Sequence, residues 1–129
     1  MMLGSTAADS PPRPWRLHGL LAPSLTDRRR HVRCIIESAV APAFAVPRTA
    51  LWAETRGSPA EAFARQVAMY LAHVGLGLNL TEVGRLFARD RSTVGHACAL
   101  VEDRRDAAAF DRSLDLLEGA LRLVSQRQA

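Results

Sequence analysis

Residues 80–101, LTEVGRLFARDRSTVGHACALV, contain two helical segments separated by a tight turn, and this pattern decides the fold. Asn79 with Glu82 three residues later is a capping-box variant, which predicts the start of the first segment. Residues 88–89 are the predicted turn, and Asp90 is the expected N-cap of the second segment. Apolar residues recur at helical spacing in both segments. The stretch therefore predicts a helix-turn-helix.

The second helix has a short polar set at its N-terminus, made of Arg91, Ser92 and Thr93. An arginine can donate two hydrogen bonds to guanine, hydroxyl groups reach bases or phosphates, and a helix N-terminus attracts phosphate. The set therefore points to double-stranded DNA. The same residues also suit a solvated surface helix, because helix-turn-helix patterns occur in domains that touch no DNA.

We expect Gly84, which costs about 1 kcal/mol relative to Ala in a helix, to allow close packing against this second helix.

Four segments of the sequence resemble the C-terminal DNA-binding domain of DnaA, the bacterial replication initiator. They are residues 64–72 (ARQVAMYLA), 80–87 (LTEVGRLF), 89–94 (RDRSTV) and 96–98 (HAC). With weaker likeness before them, the resemblance covers about residues 25–105. It implies an all-α, Trp-repressor-like fold of about five or six helices around a helix-turn-helix, and it implies binding to double-stranded DNA.

The resemblance also implies which side chains meet DNA. Three residues would enter the major groove, namely Arg91, Ser92 and Thr93. Asp90 would cap their helix and accept a hydrogen bond from a cytosine amino group. Arg56 falls near a loop arginine that enters the minor groove, a narrow and negative environment that suits arginine.

A second group would hold the DNA backbone. The predicted phosphate contacts are Arg65, Gln66 and His73. The complete predicted DNA-binding set is Arg56, Arg65, Gln66, His73, Arg89, Asp90, Arg91, Ser92, Thr93 and His96.

Departures from the family pattern keep two functions open. Arg91 stands where the family usually has His, and Ala99 and Leu100 replace two basic residues. The first hypothesis is sequence-specific DNA binding, in transcriptional regulation or in replication initiation through DnaA-type sites. The second is a non-enzymatic protein-interaction module that keeps the fold but has lost DNA affinity.

The rest of the chain predicts further helices. Residues 26–40 carry a helical apolar stripe that Pro42 should end, and a short helix should begin near Pro47. Residues 58–61, SPAE, form a helix start with a cap, a proline and a glutamate, and that helix should reach Val74.

A last helix should begin near Asp106. Its apolar stripe consists of Phe110, Leu114, Leu117, Leu121 and Val124. We expect this stripe to pack on the domain; the alternative is a homodimer seam, which would suit DNA with half-site symmetry.

Composition divides the chain into a proline-containing tail over residues 1–23, predicted to be disordered, and a domain over residues 24–129. All 17 basic residues are arginine and the net charge is +4. Residues 1–33 hold six arginines and two acids, whereas residues 34–129 hold eleven of each. The domain is thus not strongly basic, so we expect modest, salt-dependent affinity. The arginines of residues 28–33 suit a solvated helix face or an added phosphate-contacting arm.

Several other functions lack their sequence patterns. There is no apolar segment for a signal peptide or membrane span, so we expect a cytoplasmic protein that contacts no membrane. Cys34 and Cys98 lack metal-ligand spacing, and no GxxxxGK[ST] phosphate loop occurs. Asp90, Thr93 and His96 lie on one helical turn with no cleft implied, which does not indicate catalysis. The sequence therefore predicts no enzyme, no cofactor, no metal and no bound nucleotide.

Overall fold

Five α-helices and one short 3-10 helix follow one another along residues 25–127, the part of the chain that this computed structural model describes. They are α1 (Leu25–Phe44), the 3-10 helix (Arg48–Trp52), α2 (Pro59–Tyr70), α3 (Leu80–Phe87), α4 (Arg91–Arg104) and α5 (Ala108–Arg127). A π-helical turn, Leu71–Gly75, continues α2. No strand occurs within these residues, so the predicted all-α class is confirmed. The tail predicted over residues 1–23 lies outside the described residues.

Helix α1 continues past Pro42, which the sequence pattern predicted as its end. Pro42 lies in the last turn, where a proline removes only one intrahelical hydrogen bond. The helix instead ends at Phe44, because the next residue, Ala45, has a left-handed φ of 53°. Backbone N–H groups of Ala45 and Val46 donate to the carbonyls of Pro42 (3.2 Å) and Ala41 (3.1 Å). This is the Schellman pattern, with alanine in the position that glycine usually occupies.

The predicted helix starts at residues 58 and 79 are confirmed as reciprocal capping boxes. The backbone N–H of Glu61 donates to Oγ of Ser58 (3.1 Å), and the N–H of Ser58 donates to Oε1 of Glu61 (2.9 Å). Asn79 and Glu82 exchange the same two bonds, both 2.8 Å long. Each box satisfies donors that a helix N-terminus would otherwise leave unpaired.

Helix α2 occupies the centre of the described bundle and packs against α1, the 3-10 helix and α4. Its inward residues include Val67 and, in the π-helical turn, Leu71, both fully buried. Ile36 of α1 and Phe87 of α3 complete this core. Burial of each such side chain stabilises the fold by about 1.5–3 kcal/mol.

Helix α5 packs on α1 and on the π-helical turn through its predicted apolar stripe. Leu114 and Leu121 are fully buried, and Phe110 is half-buried. The prediction that this helix packs on the domain is confirmed. The alternative of a homodimer through this helix stays a prediction: the protomer covers Leu114 and Leu121, whereas Val124 of the same stripe is 40% exposed. The large apolar residues that α5 leaves most exposed are Leu116 and Leu123.

Arg105, between α4 and α5, holds the C-terminal part of the bundle together. Its guanidinium donates to the carboxylates of Asp111, Asp115 and Glu118 and to the hydroxyl of Tyr70. Hydrogen bonding to Asp111 contributes most to a pKa of Arg105 that is raised above its usual value. Glu118 is buried, so this pairing compensates a carboxylate removed from water.

Candidate nucleic-acid interface

The turn of the helix-turn-helix is as tight as the sequence predicted. Ala88 adopts a left-handed conformation (φ 55°, ψ 46°), and the N–H of Arg89 donates to the carbonyl of Gly84 (2.9 Å). A Cβ on Gly84 would lie 2.5 Å from the carbonyl oxygen of Arg89. The expected close approach at Gly84 is therefore real, but its partner is the backbone of the turn and not the second helix.

Arg89 fastens this turn to the segment after the 3-10 helix. Its Nη1 donates to the carbonyl of Phe87 (2.9 Å) and its Nη2 to the carbonyl of Ala53 (2.8 Å). The guanidinium is therefore occupied by the protein's own backbone. This arrangement conflicts with the predicted direct contact between Arg89 and DNA, and it gives Arg89 a positioning role.

The N-terminus of α4 is capped by Asp90, as predicted. Oδ1 of Asp90 accepts from the backbone N–H of Thr93 (3.0 Å) and from the hydroxyl of Ser92 (2.9 Å). These bonds, the first above all, hold the pKa of Asp90 below its usual value, so its carboxylate stays ionised at neutral pH. Arg91, Ser92 and Thr93 are exposed, and the Arg91 guanidinium has no ion pair among residues 25–127.

Arg65 is buried, with 6% of its surface exposed. Its Nη2 donates to the carbonyl of Ala50 (2.7 Å) and its Nη1 to the carbonyl of Arg56 (3.2 Å). Desolvation, followed by repulsion from Arg89, lowers the pKa of Arg65. The predicted phosphate grip by Arg65 conflicts with this burial, because both amino groups already bind the backbone. Arg65 instead holds the loop that carries Arg56.

A groove of about 300 Å³ separates α2 from the outward side of α4. Six predicted DNA-binding residues line it: Arg56, Arg65, Gln66, Arg89, Thr93 and His96. Arg56 is exposed at the groove and Gln66 is half-buried on α2. Residues separated by up to 40 positions in sequence are thus brought to one surface beside the exposed tip of α4.

The remaining predicted residues divide into two groups. Asp90 and Arg91 line a shallow depression at the turn, next to the groove, and Ser92 is exposed between them and Thr93. His73 does not line the groove. It lies in the π-helical turn, where its Nδ1 is 2.6 Å from the carbonyl of Leu78. A carbonyl can only accept, so Nδ1 carries the proton.

Sequence reasoning missed some residues that line the groove. Leu100 is 44% exposed there, and its position four residues after His96 on the same helix was the signal that could have found it. Glu54 and Met69 also line the groove. No local pattern indicated Glu54, because its place depends on how the loop after the 3-10 helix is anchored.

Two short capped helices with a left-handed turn, and a second helix that exposes its polar tip, define a helix-turn-helix protein. A family model for the bacterial DnaA protein helix-turn-helix matches residues 34–101, more than half of the chain. The chain therefore belongs to the bacterial DnaA helix-turn-helix family.

One curated relative is the chromosomal replication initiator protein DnaA of Lachnoclostridium phytofermentans. It is 41% identical over 58 residues, which are 43% of this chain and 13% of that protein. The chain thus spans only a small part of the length of this relative. Within residues 25–127, no helix is long and apolar enough to cross a membrane.

Proposed function

We propose that this protein binds double-stranded DNA with sequence preference, without catalysing a reaction. The observation that supports this most directly is the joint placement of the exposed α4 tip and the groove beside it. Arg91, Ser92 and Thr93 are exposed at the tip, and Arg56 and His96 lie at the groove. A polar helix end of this kind fits the major groove of B-DNA, which is about 12 Å wide.

The α4 tip would read bases. The guanidinium of Arg91, which has no ion pair within residues 25–127, can donate two parallel hydrogen bonds to guanine. The hydroxyl of Ser92 is oriented by Asp90, and the positive end of the helix favours a nearby phosphate. Because the pKa of Asp90 is lowered, its carboxylate remains an acceptor for its cap and for a cytosine amino group.

The groove would lie over one sugar–phosphate strand. With α4 in the major groove, Arg56 on its loop reaches toward the adjacent minor groove, and the strand between them passes over Gln66 and Thr93. Arg65 and Arg89 support this arrangement from beneath by fixing the loop and the turn. His73 lies outside the groove, so a phosphate contact by His73 stays a separate prediction.

The biological role we propose is occupation of DnaA-type sites in the cytoplasm, which would modulate replication initiation or the transcription of nearby genes. Family membership supports the proposed occupation of DnaA-type sites. Within the 129 residues there is no phosphate loop, so ATP-driven steps are not assigned to this segment.

A protein-interaction module is the second candidate, and one observation favours it. Ala99 and Leu100 expose apolar surface on α4, and Leu100 lines the groove. Apolar side chains contribute nothing to phosphate binding but do stabilise protein interfaces.

Titration with a random duplex at low and moderate salt separates the two candidates. DNA binding predicts measurable affinity at low salt and a linear fall of log K with log salt concentration. Absence of binding to any duplex at low salt would favour the interaction module. Selection from a random duplex pool then identifies the preferred site.

Substitution of Arg91 tests the base contact. Arg91→Ala should cost about 1–3 kcal/mol at particular bases and leave other positions unaffected. Arg56→Ala removes the loop arginine and should weaken binding at the flanking minor groove instead. Identical base preferences for both variants would contradict the proposed division between the α4 tip and the loop.

A further inference from the structure

Four exposed arginines continue from the α4 tip across α3 to the start of α1, and we call them the arginine track: Arg91, Arg85, Arg28 and Arg29. Arg85 lines the shallow depression at the turn together with Arg91. On its other side, Arg85 lines a second depression, of about 310 Å³, together with Arg28 and Arg29. The track is therefore continuous although its members are up to 63 positions apart in sequence.

The track carries more positive than negative charge. Among residues 25–127, its four guanidinium groups make no ion pair and no hydrogen bond. Two carboxylates lie along it, Glu82 in the depression beside Arg28 and Arg85 and Asp90 in the depression beside Arg91, and each is a helix-capping acceptor. Asp27 pairs with the neighbouring Arg30 at 3.3 Å.

The distribution of acids elsewhere strengthens this contrast. Three carboxylates of α5 surround Arg105 at the C-terminal part of the bundle, where they are paired within the protein. Over residues 25–127, the near-neutral domain thus presents a net positive surface at the track and paired charges around Arg105. Such a one-sided row of cations is typical of surfaces that meet a polyanion.

We infer that the three arginines of the track beyond the α4 tip, Arg85, Arg28 and Arg29, contact backbone phosphates of DNA that flanks the recognised site on one side. In helix-turn-helix complexes the first helix of the motif crosses the DNA backbone. Here that helix is α3, which carries Arg85 on its exposed surface, and Arg28 and Arg29 lie beyond it. This inference rests on the proposed DNA binding and extends its footprint. These three arginines would contribute affinity without base selection, because phosphate contacts are the same for every sequence.

The test uses the full chain and three duplexes that contain the site selected from the random pool. One duplex ends at the site, and the other two extend it on the left or on the right by about one helical turn, ~10 bp. The test variant carries Arg28→Gln and Arg29→Gln. Its control carries Arg112→Gln and Arg122→Gln, which remove the same charge from exposed positions of α5; Arg122 has a 3.9 Å contact with Glu118, which Arg105 also binds at 2.6 Å.

The wild-type protein should bind one extended duplex more tightly than the other two. The test variant should lose that advantage, while its affinity for the short duplex stays the same. Two lost phosphate contacts should reduce the slope of log K against log salt concentration by about 1.8 on the preferred extended duplex. Between 0.05 and 0.2 M salt, the affinity of the wild-type protein for this duplex should therefore fall about 12-fold more than that of the test variant. The control variant should keep the wild-type preference for the extended duplex.

Three results would overturn the inference. Equal losses on the short and extended duplexes would show a general effect of charge. Unchanged binding of the test variant to every duplex would show that the track does not contact DNA and would favour another partner, such as an acidic protein. The proposed DNA binding would then still stand. Failure of the wild-type protein to bind any duplex would remove the proposed function together with the inference. Thermal unfolding of each variant checks that folding is intact, which is expected because all four substituted side chains are exposed.

Discussion

Replacement of Arg65 by alanine should destabilise the protein before it affects any base preference. The strongest interaction lost is the 2.7 Å bond from the Arg65 guanidinium to the carbonyl of Ala50, a residue that is only 8% exposed. The 3.2 Å bond to the carbonyl of Arg56 lies near solvent, where water can replace it. A hydrogen bond from a charged donor contributes about 1.5–3 kcal/mol. The substitution also removes a desolvated cation, and this offsets part of the loss. We therefore expect the free energy of unfolding to fall by about 2 kcal/mol, toward the lower end of that range.

This loss should lower Tm by about 10 °C, since a domain of this size shifts by several degrees per kcal/mol. Thermal unfolding followed by circular dichroism at 222 nm measures it. Arg91→Ala is the matched control: its side chain is exposed and unpaired, so its stability should change by less than about 0.5 kcal/mol.

Limited digestion with trypsin gives a local measurement for the same variant. The carbonyl of Arg56 is the anchor point of its loop, so the bond after Arg56 should be cleaved faster in Arg65→Ala than in the wild type. If Arg65→Ala instead unfolds and digests like the wild type while binding all duplexes less well, Arg65 is a phosphate contact and the anchor role is refuted.

The remaining predictions concern helix geometry and charge. Gly84→Ala should lower stability by about 1–3 kcal/mol through overpacking against the turn, whereas Gly119→Ala, with open space around it, should raise stability by up to about 1 kcal/mol. The Asp90 cap should contribute fully to the free energy of unfolding above the pKa that Asp90 has in the unfolded chain, near 4. This contribution should be lost as the pH falls through the lower pKa that Asp90 has in the folded protein, and Asp90→Asn should remove the pH dependence. Arg105→Met should cost about 3 kcal/mol by leaving the buried carboxylate of Glu118 with only a 3.9 Å contact to Arg122, and Glu118→Gln should reduce that cost.

Thermal and urea unfolding test all three predictions. Equal effects of alanine at the two glycines would contradict the contact with the turn backbone. A cap contribution that grows as the pH falls below 4 would reverse the sign expected for a lowered pKa. Strict additivity of the Arg105 and Glu118 substitutions would show that the two side chains are not coupled.

Local patterns predicted the features that are decided within a few residues. The boxes at Ser58 and Asn79 depend on side chains three positions apart, and the cap at Asp90 joins one side chain to the backbone N–H three positions later. Their energetics are set by the helix end itself, so tertiary context changes them little. The resemblance named residues that are far apart in sequence, and six of them line one groove, whereas their contact with DNA stays a prediction.

Features that depend on distant partners could not be predicted in this way. An arginine at position 65 looks like any exposed helix residue until the carbonyl of Ala50, fifteen positions earlier, is placed against it. The same holds for Arg105, whose contact with Tyr70 spans 35 positions. Pro42 misled the prediction of α1 because its ring removes one hydrogen bond to the preceding turn but does not stop the next two residues from keeping the helical conformation.

The π-helical turn after Tyr70 has a consequence for how such proteins diverge. Leu76 donates to the carbonyl of Leu71, five residues back, so this ring accommodates one residue more than an α-helical turn. Deletion of a single residue between 71 and 75 would restore the regular helical phase and rotate everything that follows about the axis of α2. The angle at which α4 meets a duplex could then be altered by chain length alone, at a place remote from the groove.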